Sequence, residues 1–199
     1  MAIATTSGSG FVERMIRAGK LQVPLYEEVE ADVTATNQAL LVVVLGSLAS
    51  GIGAAIGATM ATGPAAGNPG GSLIGGVISA LVGWAVWSYV LYFVGTRFMG
   101  GTATYGELLR TLGFSESPSL LLILSFIPVL GGLLSFVVGI WVLVAGFIAT
   151  RQALDLDNMK TLITIVLGLV AVAIVVAVLG AIFAGIFGLG FALGRGGLY

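Results

Sequence analysis

Asp155, Asp157 and Asn158 place oxygen-bearing side chains close together in the manner of a calcium-binding loop, where carboxylates and amides converge on a hard cation. Such a loop needs glycine at its sixth position and glutamate at its twelfth, but Lys160 stands at the sixth and no glutamate follows. Helix capping accounts for these three residues better than metal binding does.

Gly51, Gly53 and Gly57, and again Gly188, Gly190 and Gly194, imitate the glycine fingerprint that lets a backbone approach a dinucleotide pyrophosphate. That fingerprint requires a preceding strand and a helix opening at the glycines, whereas both sets here lie inside apolar runs. Serines 47, 50, 79, 88, 125 and 135 could attack a carbonyl only with a base beside them. The chain has no histidine and no cysteine, which removes the usual bases, thiol nucleophiles and ligands of zinc, haem and iron-sulfur clusters. No catalytic residue, cofactor or metal is expected.

Composition points elsewhere. The 199 residues are 58% hydrophobic and 9% charged, with a mean hydropathy of +1.11, against roughly a quarter charged in a soluble domain. A net charge of -1 gives no field for nucleic acid, which is set aside as a partner. The abundance of Ala, Gly and Val, with Arg favoured over Lys, suggests a prokaryotic source.

A helix needs about 20 apolar residues to cross a bilayer. Residues 39–62, 72–96 and 162–194 are charge-free runs of that kind. A fourth run, 118–150, is interrupted by Pro128, Gly131 and Gly132 and could be one kinked helix or a tight pair. Charge selects the pair, because Lys and Arg collect in cytoplasmic loops. Five spans with a cytoplasmic N-terminus put Arg14, Arg17, Lys20, Arg97, Arg110, Arg151 and Lys160 inside and Arg195 alone outside. The loops at 63–71 and 128–132 are then uncharged and external. Each half of 118–150 would have about 15 or 16 residues, short for a simple span.

The expected fold is therefore all-α: a polytopic membrane bundle of five transmembrane helices, the third and fourth forming a short hairpin, plus N-terminal interfacial amphipathic helices. Residues 1–37 form the cytoplasmic segment, 38–187 the membrane domain and 188–199 an apolar, glycine-rich C-terminal extension placed outside. The plasma membrane is the expected location. In the first amphipathic segment Phe11, Val12, Met15 and Ile16 share one face and Glu13, Arg14, Arg17 and Lys20 the other. Pro24 opens a second, acidic segment with Leu25, Val29 and Val33 at four-residue spacing. Both segments should rest on the membrane or on the bundle.

Within the spans, small residues recur four apart, the spacing that lets helix backbones approach where lipid supplies no hydrophobic drive. These faces are Gly53 and Gly57; Gly75, Ser79 and Gly83; Gly131, Ser135 and Gly139; and Ala173, Ala177, Ala181 and Gly185. They predict a tight bundle without a wide pore. No acidic or basic residue lies inside any predicted span, which argues against a pump, a secondary transporter or a membrane enzyme.

The connection 101–118 carries the most local information. Thr104 followed by Glu107 predicts a capping box, Glu107 and Arg110 are spaced to pair, and Ser117 before Pro118 should cap the next span. Tyr105 should face lipid or protein. This stretch, Gly-Thr-Ala-Thr-Tyr-Gly-Glu-Leu-Leu-Arg-Thr-Leu-Gly-Phe-Ser-Glu-Ser-Pro, resembles the signature loop of the Yip domain family of Ypt/Rab-interacting proteins. The resemblance continues through Pro128, Gly131, Trp141, Ala149, Arg151, Ala153 and Leu154 and covers roughly residues 22–186. It implies five spans, a cytosolic N-terminus and a non-enzymatic membrane protein. Eukaryotic members bind prenylated Rab GTPases through a long cytosolic region; only about 37 residues stand in that position here, so Rab binding is not carried over. The partners expected instead are the lipid bilayer and a second copy or another membrane protein. The leading functional expectation is a structural or interaction subunit of a membrane complex; the alternative is a passive conduit for lipid or a small neutral solute.

Overall fold

A computed structural model of the chain describes residues 10–60 and 69–195. Two short helices come first, α1 (Phe11–Gly19) and α2 (Val23–Ala31), followed by α3 (Ala35–Met60) and α4 (Pro69–Phe98). A third short helix, α5 (Tyr105–Ser115), leads through Glu116 into a 3₁₀ segment, Ser117–Phe126. The chain then reverses into α6 (Leu130–Ala153) and ends with α7 (Asn158–Arg195). Residues 63–68 of the expected external loop fall outside the described residues, while 69–71 form the first turn of α4; residues 196–199 of the expected C-terminal extension also fall outside.

Among the described residues, four helices are long and apolar enough to cross a membrane: Ala35–Met60, Leu73–Phe98, Leu130–Ala153 and Asn158–Ala184. The run 118–150 is divided unequally rather than into two pieces of similar length. Its first part is the 3₁₀ segment of 10 residues, which rises about 2.0 Å per residue and so reaches about 20 Å. Its second part belongs to a 24-residue α-helix.

The 3₁₀ segment runs parallel to α3 and in direct backbone contact with it. Gly46 faces Ser119, Gly53 faces the carbonyls of Leu122 and Ile123, and Gly57 faces Phe126. A Cβ on Gly53 would lie 2.3 Å from the Leu122 carbonyl oxygen, closer than any real contact. Missing side chains on α3 therefore make the groove that holds the segment.

Reversal takes place at Ile127 to Val129. The Leu130 amide donates to the Pro128 carbonyl at 2.7 Å, with Val129 at φ 67° and ψ -50°. This is the rare γ-turn, strained for a β-branched residue, and Val129 is 94% exposed at its tip. Gly131 completes the bend, since a Cβ there would meet the Ser125 carbonyl oxygen at 1.9 Å. From this point α6 returns antiparallel to the segment, bringing Gly146 to Ser115.

Buried side chains concentrate at one end of the bundle. One cluster joins Tyr26, Leu91, Leu108, Leu112, Ala149 and Leu154; a second joins Ala18, Leu25, Val29, Ala39, Val42 and Phe114. The opposite stretches of the long helices expose large apolar side chains, among them Ile74, Ile78, Leu133, Phe136, Ile174 and Val176. Exposure of that kind is stable where the surrounding medium is lipid.

Candidate functional site at the charged end of the bundle

Opposite charge draws α1 and α2 together. Arg14 and Arg17 lie on the first, with Lys20 just past its end, and Glu27, Glu28 and Glu30 on the second. Arg14, placed by the sequence pattern on a solvated face, is 5% exposed and bound on three sides. It donates to Glu28 at 3.0 Å and to Gln38 at 3.0 Å, and pairs with Asp32 at 2.8 Å. One guanidinium thereby ties α1, α2 and the start of α3 into a unit. The Thr34 hydroxyl, bonded at 2.6 Å, together with Arg14 holds the Asp32 carboxyl below its usual range. Arg17 adds an ion pair to Glu28 at 2.5 Å.

The apolar faces of these helices pack inward as well as outward. Leu25 and Val29 are fully buried, but α2 ends at Ala31, so Val33, the next in the four-residue series, is 73% exposed. On α1, Phe11 and Met15 pack against the core while Val12 and Ile16 remain exposed. The indole of Trp141 on α6 donates to the Gly19 carbonyl at 2.8 Å and ties the end of α1 to the bundle.

The connection 101–118 supplies the centre of this layer. Thr104 and Glu107 form the capping box: the Glu107 amide donates to the Thr104 hydroxyl at 3.3 Å, and the Thr104 amide to the Glu107 carboxylate at 2.7 Å. Arg110, instead of reaching Glu107, turns to α2 and donates to the carbonyls of Val29 at 2.9 Å and Glu30 at 2.5 Å. The last carbonyls of a helix lack internal partners, and a cation there also meets the negative end of the helix dipole. Tyr105 donates to the Ala85 carbonyl at 3.0 Å and stands edge-on to Tyr89 at 5.8 Å. Pro118 is buried in the first turn of the 3₁₀ segment. Ser117 belongs to that turn too, and its hydroxyl donates back to the Phe114 carbonyl at 2.7 Å.

The elbow between α6 and α7 closes the layer. Arg151 donates to Gln152 and to Asn158, each at 3.1 Å, and Gln152 in turn donates to Glu27 on α2. Asp155 accepts from Thr102 at 2.9 Å, and Asp157 caps α7 by accepting from the Lys160 amide at 2.8 Å. Leu154 is clasped by Gly95 and Gly101, joining this elbow to the one after α4. Among the described residues no cluster of three His, Cys, Asp or Glu could hold a metal ion.

Glu30 is the strained member. One of its carboxylate oxygens is buried without a hydrogen-bond partner, as is the hydroxyl of Tyr26 one turn away. Burial, then repulsion from Glu107, Glu27 and Asp155, pushes its carboxyl up to about 7, against the pull of Arg110. The folded protein therefore holds a proton that the unfolded chain releases near 4.5. The stabilisation this gives is fully present below that value and is lost as pH rises toward 7. Partial exposure screens the effect to about 1–2 kcal/mol. Detergent-solubilised protein should unfold progressively more easily between pH 4.5 and 7, and Glu30→Gln should flatten this slope in a circular-dichroism melt.

The small-residue faces divide into two groups. Gly53, Gly57 and Gly131 lie against backbone, while Gly75, Gly83 and Gly139 meet nothing within 4 Å. Ser79, Ser135, Ala173, Ala177 and Ala181 are exposed; Gly185 falls where no side-chain surroundings are described. Two residues take roles here that their place along the chain did not assign: Arg14, which bridges the complementary charges of α1 and α2, and Glu116, which lines the same cavities as Trp84 and Trp87.

Comparison with known protein families matches residues 25–193 to the Yip1 domain. Neither the search of curated proteins nor that of solved structures gives a match. The family match begins at Leu25 in α2, passes through the capped helix α5 and the 3₁₀ segment, and ends near the end of α7. The protein belongs to the Yip1 domain family and is an integral membrane protein.

Proposed function

We propose that the protein is a non-enzymatic interaction subunit of a membrane complex, crossing the plasma membrane five times with its N-terminus in the cytoplasm and its C-terminus outside. The observation that carries the reading is the state of α7. The helix has 38 residues, about 57 Å at 1.5 Å per residue, nearly twice a hydrocarbon core. Thr161, Thr164 and Gly168 are buried against the bundle, yet every residue from Ala173 to Ala184 is exposed. A helix exposed all round, with alanines four apart along one side, is suited to pairing with another helix.

The five-crossing count is supported by the parallel course of the 3₁₀ segment beside α3, and the inward N-terminus by the positively charged residues gathered at one end. Residues 10–37 then form a cytoplasmic cover over that end and residues 188–199 an external extension.

Extraction in a mild detergent should return a particle larger than the 20.2 kDa chain with its bound detergent, and deletion of residues 188–199 should reduce its size. A lone monomer, with no partner and no change on deletion, would overturn the reading. The reaction is clean to follow by cross-linking because the chain has no cysteine of its own: Ala177→Cys should form a covalent pair in native membranes.

A further inference from the structure

Glu116 precedes the apolar run of the 3₁₀ segment, so by position along the chain it belongs to a connection. By position in the fold it does not. Ser119, three residues on, lies against Gly46, about 10 Å along α3 from Ala39, where the apolar run begins, at 1.5 Å per residue. Trp87 is likewise about 15 Å along α4 from Arg97. A carboxylate thus reaches well into the depth of the apolar helices, where an ionisable group is costly without a partner.

Two cavities meet at this residue. One, of about 420 Å³, lies between α3, α4 and the 3₁₀ segment; the other, of about 260 Å³, lies between α4, α5, α6 and α7. Trp84, Trp87 and Glu116 line both, and no basic side chain lines either. The larger has the size of a small-molecule site. Ser47 and Ser50 add hydroxyls to it, and Gly83 in its wall is exposed, with nothing within 4 Å of where a Cβ would stand. An approaching group can therefore enter sideways between α3 and α4.

Two indoles and one carboxylate in shared cavity walls define the chemistry. An aromatic face attracts an organic cation through its quadrupole, tryptophan most strongly, and the attraction grows when the site is shielded from water. A carboxylate in the same wall adds a negative charge for which no basic side chain of the lining supplies a partner. An alkali or divalent metal ion, by contrast, seeks several oxygen ligands. We propose that Glu116, Trp84 and Trp87 bind the ammonium group of an organic amine, carried by a lipid headgroup or free in solution.

The test follows intrinsic tryptophan emission of the full chain in detergent during titration with tetramethylammonium chloride, phosphatidylcholine, phosphatidylethanolamine and phosphatidylglycerol, at matched ionic strength. Saturable changes are expected with the amine-bearing compounds and not with phosphatidylglycerol or sodium chloride. Glu116→Gln should weaken binding at least about tenfold, and Trp87→Ala by a similar factor. Circular dichroism and elution volume check that each variant is folded; if Glu116→Gln is not, Trp87→Ala decides the matter. A response to tetramethylammonium supports the proposal and identifies free amines as ligands. A response confined to the amine-bearing lipids supports it and identifies a headgroup. An equal response to phosphatidylglycerol, or binding undiminished in the folded variants, overturns it.

Discussion

Replacing Gly53 by valine is expected to destabilise the protein by about 3 kcal/mol, the upper range for forcing extra atoms into a packed interior. Even the first added carbon would lie 2.3 Å from the Leu122 carbonyl oxygen and 2.5 Å from the Ser125 hydroxyl. A backbone carbonyl cannot swing aside as the end of a side chain can, so the whole 3₁₀ segment must move away from α3. Gly46 and Gly57 would lose their contacts with it at the same time. Gly75→Ala, on a helix face with nothing within 4 Å, should be neutral or stabilising by up to about 1 kcal/mol, because alanine favours helix. The two variants have opposite expected signs although the sequence presents both glycines in the same small-residue spacing. Unfolding in mixed detergent-SDS micelles, followed by far-ultraviolet circular dichroism, measures both; equal midpoints for Gly53→Val and wild type would refute the packing argument.

Arg110→Ala should be nearly as costly, at about 3 kcal/mol, since it removes charged hydrogen bonds to buried acceptors and leaves those acceptors unmet. Arg110 is 6% exposed, and its guanidinium serves the last carbonyls of α2. Its loss should free α2 from α5 while leaving the long apolar helices in place. Hydrogen exchange is then expected to quicken across residues 23–31 and to change little in α3 or α6. Arg110→Lys keeps the charge but not the planar fork that reaches two carbonyls at once, so it should recover only part of the loss. Uniform protection in Arg110→Ala would show that α2 is held by its apolar face alone.

The sequence revealed those features that depend on local pattern. The Thr104 and Glu107 cap, the helix that follows it, and the apolar stretches of α3, α4, α6 and α7 all follow from residue type and spacing within one or two turns. Features that depend on depth did not show. Glu116 is outside every apolar run when position is counted along the chain, yet the fold carries α5 beside α4 and places Glu116 in the same cavity walls as Trp84 and Trp87. Arg110 is spaced to meet Glu107, but a buried guanidinium is better satisfied by carbonyls that have no other donor. Glycine spacing likewise named faces without naming which had a neighbour: Gly53 and Gly75 are told apart only by what the chain brings against them. The unequal division of 118–150 was hidden for another reason, because Pro128, Gly131 and Gly132 locate a bend without stating which kind of helix leads into it.

That helix type has a mechanical side. Ten residues in 3₁₀ form are about 5 Å longer than the same ten in α form, and an isolated apolar peptide of this length would favour the shorter winding. The segment is held at its greater length by the glycine groove of α3 on one side and by the reversal into α6 on the other. Released from the groove, it would recoil by nearly a full helical pitch and draw the Val129 tip with it. If the segment crosses the bilayer as proposed, the reach of that tip is set by lateral attachment to a neighbouring helix, and a substitution on α3 should alter how far a different part of the chain protrudes.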